Sequence, residues 1–372
     1  MTSETRQPDR IEGAPHPRET LRLIGQGAAE AAFLDAFNGD RLHHAWLVTG
    51  ARGVGKATFA WRAARFLLAH DEAGGMFGAD TPSSLDISPD HPIARRMLAR
   101  SEPQLFHITR SINDKTDRLR DMIVADDVRS LHNFLSLSSA DGGRRAVIID
   151  SADEMNVQAA NSLLKMLEEP PARTTLFLIS HQPSGLLPTI RSRCRELRLP
   201  PLSAEDMAQA LTQAGIEQGD DTQALAALSG GSVGEAVRLI NLDGLKLYAD
   251  LIQLFADLPN IDRPRALALA NAAGQRGAED RLNLLIWLIE LMLGRMAQTG
   301  ATGTAPSPEG APGEARMLAR AAPDLNAARA WADCAQDVGA RMRNGRAVNL
   351  DPASLVLDTV FRIQKTAEHQ PA

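Results

Sequence analysis

Cysteine is nearly absent: only Cys194 and Cys334 occur among 372 residues, far apart in the chain. That excludes a disulfide framework and any CxxC metal pair, and it fits a reducing compartment. A strong charge excess is missing too. With 40 basic and 46 acidic side chains the net charge is -6, so no global field draws the chain to nucleic acid, and any DNA contact must be local or shared with partners. No run of about 18 apolar residues occurs, and the opening MTSETRQPDRIEGAPHP has no apolar centre. Neither a membrane span nor a signal peptide is expected. These absences predict a soluble cytoplasmic protein without a membrane partner, beginning in a loose N-terminal arm over residues 1–17.

What is present is a 44% hydrophobic chain, long enough for two or three domains. From residue 18 to 201 helical and strand patterns alternate. HAWLVTG, LFHI, MIVAD, RAVIID, TTLFLIS and RELRLP read as strands; AAEAAFLDAF, TFAWRAARFLLAH, DVRSLHNFLSL and VQAANSLLKMLEE read as helices. Such alternation predicts an α/β module with a mostly parallel sheet covered on both faces. Pro170 and Pro171 close the helix before TTLFLIS. Beyond Pro201 the strand pattern stops. Residues 202–243 read as a small helical lid with Ser203 as an N-cap, and residues 244–372 as an all-α domain ending in DPASLVLDTVFRI, with Asp351 capping and Pro352 at the first helical position. Within it, the Gly/Pro/Ala-rich run around residues 298–315 is expected to be disordered.

LVTGARGVGKATFA, residues 47–60, carries the chemistry. Gly50, Gly53, Gly55 and Lys56 fit GxxxxGK between a strand and a helix, where backbone N–H groups wrap a phosphate and the lysine reaches the terminal phosphates. The competing reading is a glycine turn that never meets nucleotide. Ala57 stands where a magnesium-binding Ser or Thr is expected; Thr58 follows one residue late, turned by roughly 100°. In RRAVIIDSADEM, Asp150 can hold magnesium-bound water, whereas Ser151 cannot replace the carboxylate that would polarise an attacking water. Asp153 and Glu154 read as first-turn acids favouring a helix dipole.

LHHAWLVTGARGVGKAT, IIDSADEMNVQAANSLLKMLEEPP and LPTIRSRC together resemble the clamp-loader branch of the AAA+ ATPases over most of residues 18–200, and more weakly through the helical remainder. The resemblance implies an AAA+ P-loop module, a helical lid and a helical collar that joins a hetero-oligomeric ring. It also implies ATP held between adjacent subunits, with Arg193 of Ser192-Arg193-Cys194 reaching a neighbour's nucleotide. An ordinary surface ion pair is the alternative for Arg193, and a packed thiol is the reading for Cys194. Active members of the family resemble G-S-x-R-D-A in the lid, where this chain has Gly231-Ser232-Val233-Gly234-Glu235-Ala236, and Gly234 cannot sense charge. Ser180 stands near the polar sensor position, serving there or capping the next turn.

Ala57, Ser151 and Gly234 each remove a different part of the hydrolytic apparatus. The expectation is therefore a subunit that binds ATP or ADP weakly at most, without hydrolysing it, within a DNA polymerase III machine. Its implied partners are the motor (gamma/tau) and delta subunits and, through the complex, the sliding clamp and primer-template DNA. The rival is an ATP-hydrolysing motor subunit of the same machine; a DNA-binding regulator is disfavoured by the short basic face of TIRSRCRELR. Loader modules often carry a four-cysteine zinc insert after the first helix. The corresponding region here has no cysteine, so no zinc is expected there, and HPIARRMLARS reads as a short helix in its place. In the last helix Leu355, Val356, Val360, Phe361 and Ile363 occupy more than one face, which calls for a partner surface from another subunit or from this chain itself.

Overall fold

The computed structural model describes residues 8–71, 81–113, 115–136, 143–217, 219, 221–275 and 277–369. The chain divides into two compact units. The first reaches Glu217 and takes in Gly231–Glu235; the second holds the described residues between 219 and 230 and those from Ala236 onward. The segment read as a lid is thus shared between them.

In the first unit α1 (Gly27–Asn38) leads into β1 (Ala45–Thr49), α2 (Lys56–Asp71), α3 (Pro92–Leu98), β2 (Leu105–Ile108) and a ribbon of β3 (Ile112–Asn113) with β4 (Arg118–Leu119). Then follow α4 (Ala125–Ser136), β5 (Arg145–Asp150), α5 (Val157–Glu168), β6 (Thr174–Ser180), α6 (Pro188–Arg191), β7 (Arg195–Arg198) and α7 (Ala204–Gln213). Five strands form one parallel sheet in the order β2-β5-β6-β1-β7. Every residue of β1 and β6 is buried, as apolar runs covered on both faces require. Because Thr49 pairs with Ser180 and Asp150 with Ile179, the ends of β1, β5 and β6 open onto one edge, where α/β sheets place their ligands.

Local chemistry sets the helix ends. Asn156 caps α5 by accepting from Ala159 N at 2.8 Å, and Ala159, Ala160, Leu163, Met166 and Leu167 give it one apolar stripe. Ser203 caps α7, and His91 Nδ1 accepts from Ile93 N at the start of α3, the short helix expected in HPIARRMLARS. MIVAD is not a strand. Only Ile123 bridges, to Met155, and Asp127 turns its carboxylate back to Val124 N at 2.8 Å, starting α4 instead. The end of DVRSLHNFLSL at Leu137 lies outside the described residues.

The arm requires a correction for residues 8–17; residues 1–7 lie outside the described ones. His16 is 1% exposed, edge-on to Trp61, and its Nε2 lies 2.8 Å from Asp9. Beyond it, Arg65 of α2 donates to Arg18 O. Composition suggested a loose segment because a few polar anchors, rather than periodic apolar residues, hold it.

The second unit is helical throughout its described residues: α8 (Thr222–Ser229), α9 from Ala236 within Val233–Asn241, α10 (Gly244–Phe255), α11 (Arg263–Ala273), α12 (Glu279–Thr302), α13 (Glu314–Ala321), α14 (Leu325–Ala347) and α15 (Pro352–Glu368). The long helices α12 and α14 pack together, and α15 packs on α11 and α14. Asp351 caps α15 through Ser354 N at 2.8 Å, with Pro352 in its first turn. Among the described residues no helix is long and apolar enough to cross a membrane.

Residues 298–315 are ordered, against expectation. α12 runs through Thr302 to a left-handed cap at Gly303, and Gly310 and Ala311 are fixed against the helices. The anchor is Glu314, fully buried, whose carboxylate takes Arg295 Nε at 2.6 Å together with the Tyr248 hydroxyl and Gly310 N. A buried acid satisfied this completely immobilises a loop whose composition alone predicts disorder. In α15, Leu355, Val356, Val360 and Ile363 are buried within this chain, and only Phe361 of the five apolar residues is exposed.

Candidate functional site

At the edge of β1 the chain turns through Gly50, Gly53 and Gly55, all at positive φ. A side chain at Gly50 would strike Leu199 O at 2.4 Å, so only glycine fits between the loop and the segment after β7. Lys56 begins α2 and reaches back across the turn, donating to Gly50 O at 2.9 Å and Ala51 O at 2.6 Å. Two of the three ammonium donors brace the loop, leaving one for a phosphate. Burial pushes Lys56 down to about 8, opposed by Asp150 and Asp153. From behind, Gln26 donates to Val54 O and Pro200 O. The loop has the cradle shape that the sequence predicts; Ala57 and Thr58 lie half-buried at the helix start.

Asp150 ends β5 beside this loop. Burial, reinforced by the nearby Asp9 carboxylate, pushes it up to about 7, so the acid is only partly charged near neutrality. Ser151 donates to Asp150 Oδ1 at 3.2 Å and also meets His181 Nε2 at 2.9 Å. Burial and Lys56 hold His181 down at about 4, which makes it a neutral donor to the Ser151 oxygen. A hydroxyl and a neutral imidazole therefore stand where a water-polarising carboxylate would be needed. Ser180 does not cap the next turn: its Oγ is fully buried and unpaired. Asp153 also differs from expectation. Instead of merely favouring a helix dipole, its carboxylate accepts from His181 N and Gln182 N at 3.1 Å, joining the ends of β5 and β6, while Glu154 pairs with Arg110.

The residues Gly231–Glu235 lie directly on the loop. Gly234 N donates to Gly53 O at 3.3 Å, and a side chain at Gly53 would meet Ser232 Oγ at 2.3 Å. At Gly234 a Cβ would come within 2.8 Å of Ile11 and 3.0 Å of Gly53 Cα. A side chain at Gly234 would have to push aside the exposed end of Ile11 and would crowd Gly53 Cα.

Arg193 lies in the turn between α6 and β7. It is held by Glu168 Oε1 at 2.8 Å and by Thr189 O at 2.9 Å, with about a third of the side chain exposed. Cys194 beside it is packed against the module core, and burial pushes its thiol up to about 12, which rules out a thiolate nucleophile near neutral pH. Arg195 lies over the Trp46 ring at 4.9 Å, so the basic run is partly committed to packing.

Sequence reasoning missed Asp9, His16, His107 and Glu168. His107 had a signal, a polar residue inside the apolar strand LFHI; Asp9 and His16 had none, because a short proline-bearing arm carries no periodicity.

Residues 25–203 match the family model described as DNA polymerase III, delta subunit. The DNA polymerase III subunit delta' of Pseudomonas aeruginosa is 39% identical over 202 residues, covering 53% of this chain and 55% of that protein. The chain thus spans about half the length of that relative. Subunit delta' of Escherichia coli is 28% identical over 264 residues, 69% of this chain and 71% of the relative. Subunit tau of Salmonella typhimurium is 27% identical over 280 residues, 72% of this chain and 40% of the relative. The phosphate loop, the acidic strand and the Ser-Arg-Cys turn all lie inside the matched region, and over that module the chain is similar to the delta-prime subunits of bacterial DNA polymerase III.

Proposed function

We propose that this chain is a delta-prime-like, non-hydrolysing subunit of a cytoplasmic DNA polymerase III clamp loader. It assembles with motor (gamma/tau) and delta subunits, supplies Arg193 in trans to a motor neighbour, and helps place a sliding clamp on primer-template DNA. The observation that carries the reading is the packing of Gly234 on Gly53, which sets a residue without a charged side chain directly against the phosphate loop. Ala57 and Ser151 support it by removing the metal hydroxyl and the base. An arginine delivered across an interface offsets charge developing on a neighbour's gamma-phosphate, and it acts only when assembly places it there. A chain inert at its own site can control hydrolysis in this way.

Lys56 keeps one donor free and the glycine cradle is intact, which supports weak ATP or ADP binding at Gly50, Gly53, Gly55, Lys56, Thr58 and Asp150, without turnover. No cysteine set for zinc belongs to this reading. Calorimetry on the isolated chain is expected to give weak nucleotide affinity with little magnesium dependence, and hydrolysis at background. Tight, strictly magnesium-dependent binding with a turnover abolished by Lys56→Ala would instead identify a motor subunit.

A further inference from the structure

Asp9, His107 and Asp150 each offer one ligand atom, and the three atoms lie within 4.8 Å of one another. They come from three places: the N-terminal segment, β2 and the end of β5. The Asp9 side chain is 5% exposed and its Oδ2 meets His16 Nε2 at 2.8 Å, while His107 Nε2 is shut off from solvent without a hydrogen bond. Two carboxylates facing each other in such surroundings repel, and orphaned buried polar atoms are costly. A cation would satisfy both needs at once.

The geometry points to a nucleotide-independent site for a divalent transition metal of the zinc class, ligated by Asp9, His107 and Asp150. The 3.6 Å between His107 Nε2 and Asp9 Oδ2 is close to the roughly 3.4 Å edge of a tetrahedron with ~2.1 Å bonds. His16 supports the site without ligating. Its Nδ1 accepts from Arg18 N at 3.1 Å, so the proton sits on Nε2, which lies 2.8 Å from Asp9 and orients that carboxylate. Three protein ligands leave a fourth position for water. One imidazole with two carboxylates suits zinc better than magnesium, which prefers oxygen ligands and keeps its waters. This site shares no residue with the four-cysteine insert, so the absence of cysteine does not bear on it. A bound metal would also tie the arm to the acid at the end of β5, beside the phosphate loop.

The test uses the full chain, stripped with chelator and titrated with zinc and separately with magnesium in the absence of nucleotide. One equivalent of zinc is expected, with at least ten-fold weaker magnesium binding. Asp9→Asn and His107→Gln should each weaken zinc at least ten-fold, while a Cys194→Ser/Cys334→Ser variant should bind like the parent. Asp9 lies outside the sheet, so Asp9→Asn decides the matter if His107→Gln fails to fold, folding being followed by circular dichroism. No stoichiometric zinc, zinc binding unchanged by Asp9→Asn, or binding lost only with the cysteines would each overturn the assignment.

Discussion

Arg193→Ala, introduced into a loader reconstituted with motor and delta subunits, is expected to slow hydrolysis at one interface by about 10³-fold while the complex still assembles. Arg193→Lys should fail nearly as badly, because lysine keeps the charge but loses the planar fork that meets phosphate oxygens in pairs. Neither change should unfold the chain. Arg193 touches Glu168 and Thr189 O at a partly exposed surface, and such an exposed ion pair contributes at most about 1 kcal/mol. For the same reason, swinging Arg193 away from Glu168 to a neighbour's nucleotide costs little. The check is the DNA- and clamp-stimulated ATPase of the complex beside its gel-filtration profile. Full activity in the alanine variant would leave Arg193 a surface ion-pair member.

Glu314→Ala is expected to have the largest effect on stability. Glu314 is completely buried, and Arg295 opposite it is 10% exposed; removing the acid strands a buried guanidinium and leaves the Tyr248 hydroxyl and Gly310 N without their acceptor. Burial and the facing carboxylate push the Tyr248 hydroxyl's pKa upward, so the phenol stays protonated near neutral pH and donates to Glu314. Breaking a buried pair from one side typically costs about 3–5 kcal/mol. Scanning calorimetry should therefore show a lower transition for the helical unit, and proteolysis should open the chain between Gly303 and Gly313. A change below about 0.5 kcal/mol, the usual range for surface substitutions, would show that the 303–313 segment is held by something other than Glu314.

The α/β module could be read from the chain because its signals are local. Buried parallel strands such as TTLFLIS show as continuous apolar runs, and GxxxxGK between a strand and a helix has few other uses. The glycine loop, Asp150 at the end of β5 and the caps at Ser203 and Asp351 all lie where the sequence predicts. Failures came where long-range polar contacts decide the structure. MIVAD has strand-like composition, but Asp127 turns it into a helix start. Residues 298–315 have the composition of a linker, and a single acid reaching Arg295 and Tyr248 orders them. The arm looked loose because nothing in MTSETRQPDRIEGAPHP reveals that His16 will lie beside Trp61. In α15 periodicity could not name the covering partner, and α11 and α14 of the same chain supply most of it. Any contact of that helix with another subunit must use what remains exposed, Phe361 among it.

The central claim is that this chain's own phosphate loop is catalytically silent while its Arg193 serves a neighbour. The most direct measurement is the stimulated ATPase of a reconstituted loader in which this chain alone carries Lys56→Ala, with assembly confirmed by gel filtration. The account predicts a rate indistinguishable from the parent complex, beside the slow rate of the Arg193→Ala complex. A Lys56→Ala complex that assembles normally yet loses activity to the same extent would show that nucleotide at this loop drives the machine, and the non-hydrolysing role would be contradicted.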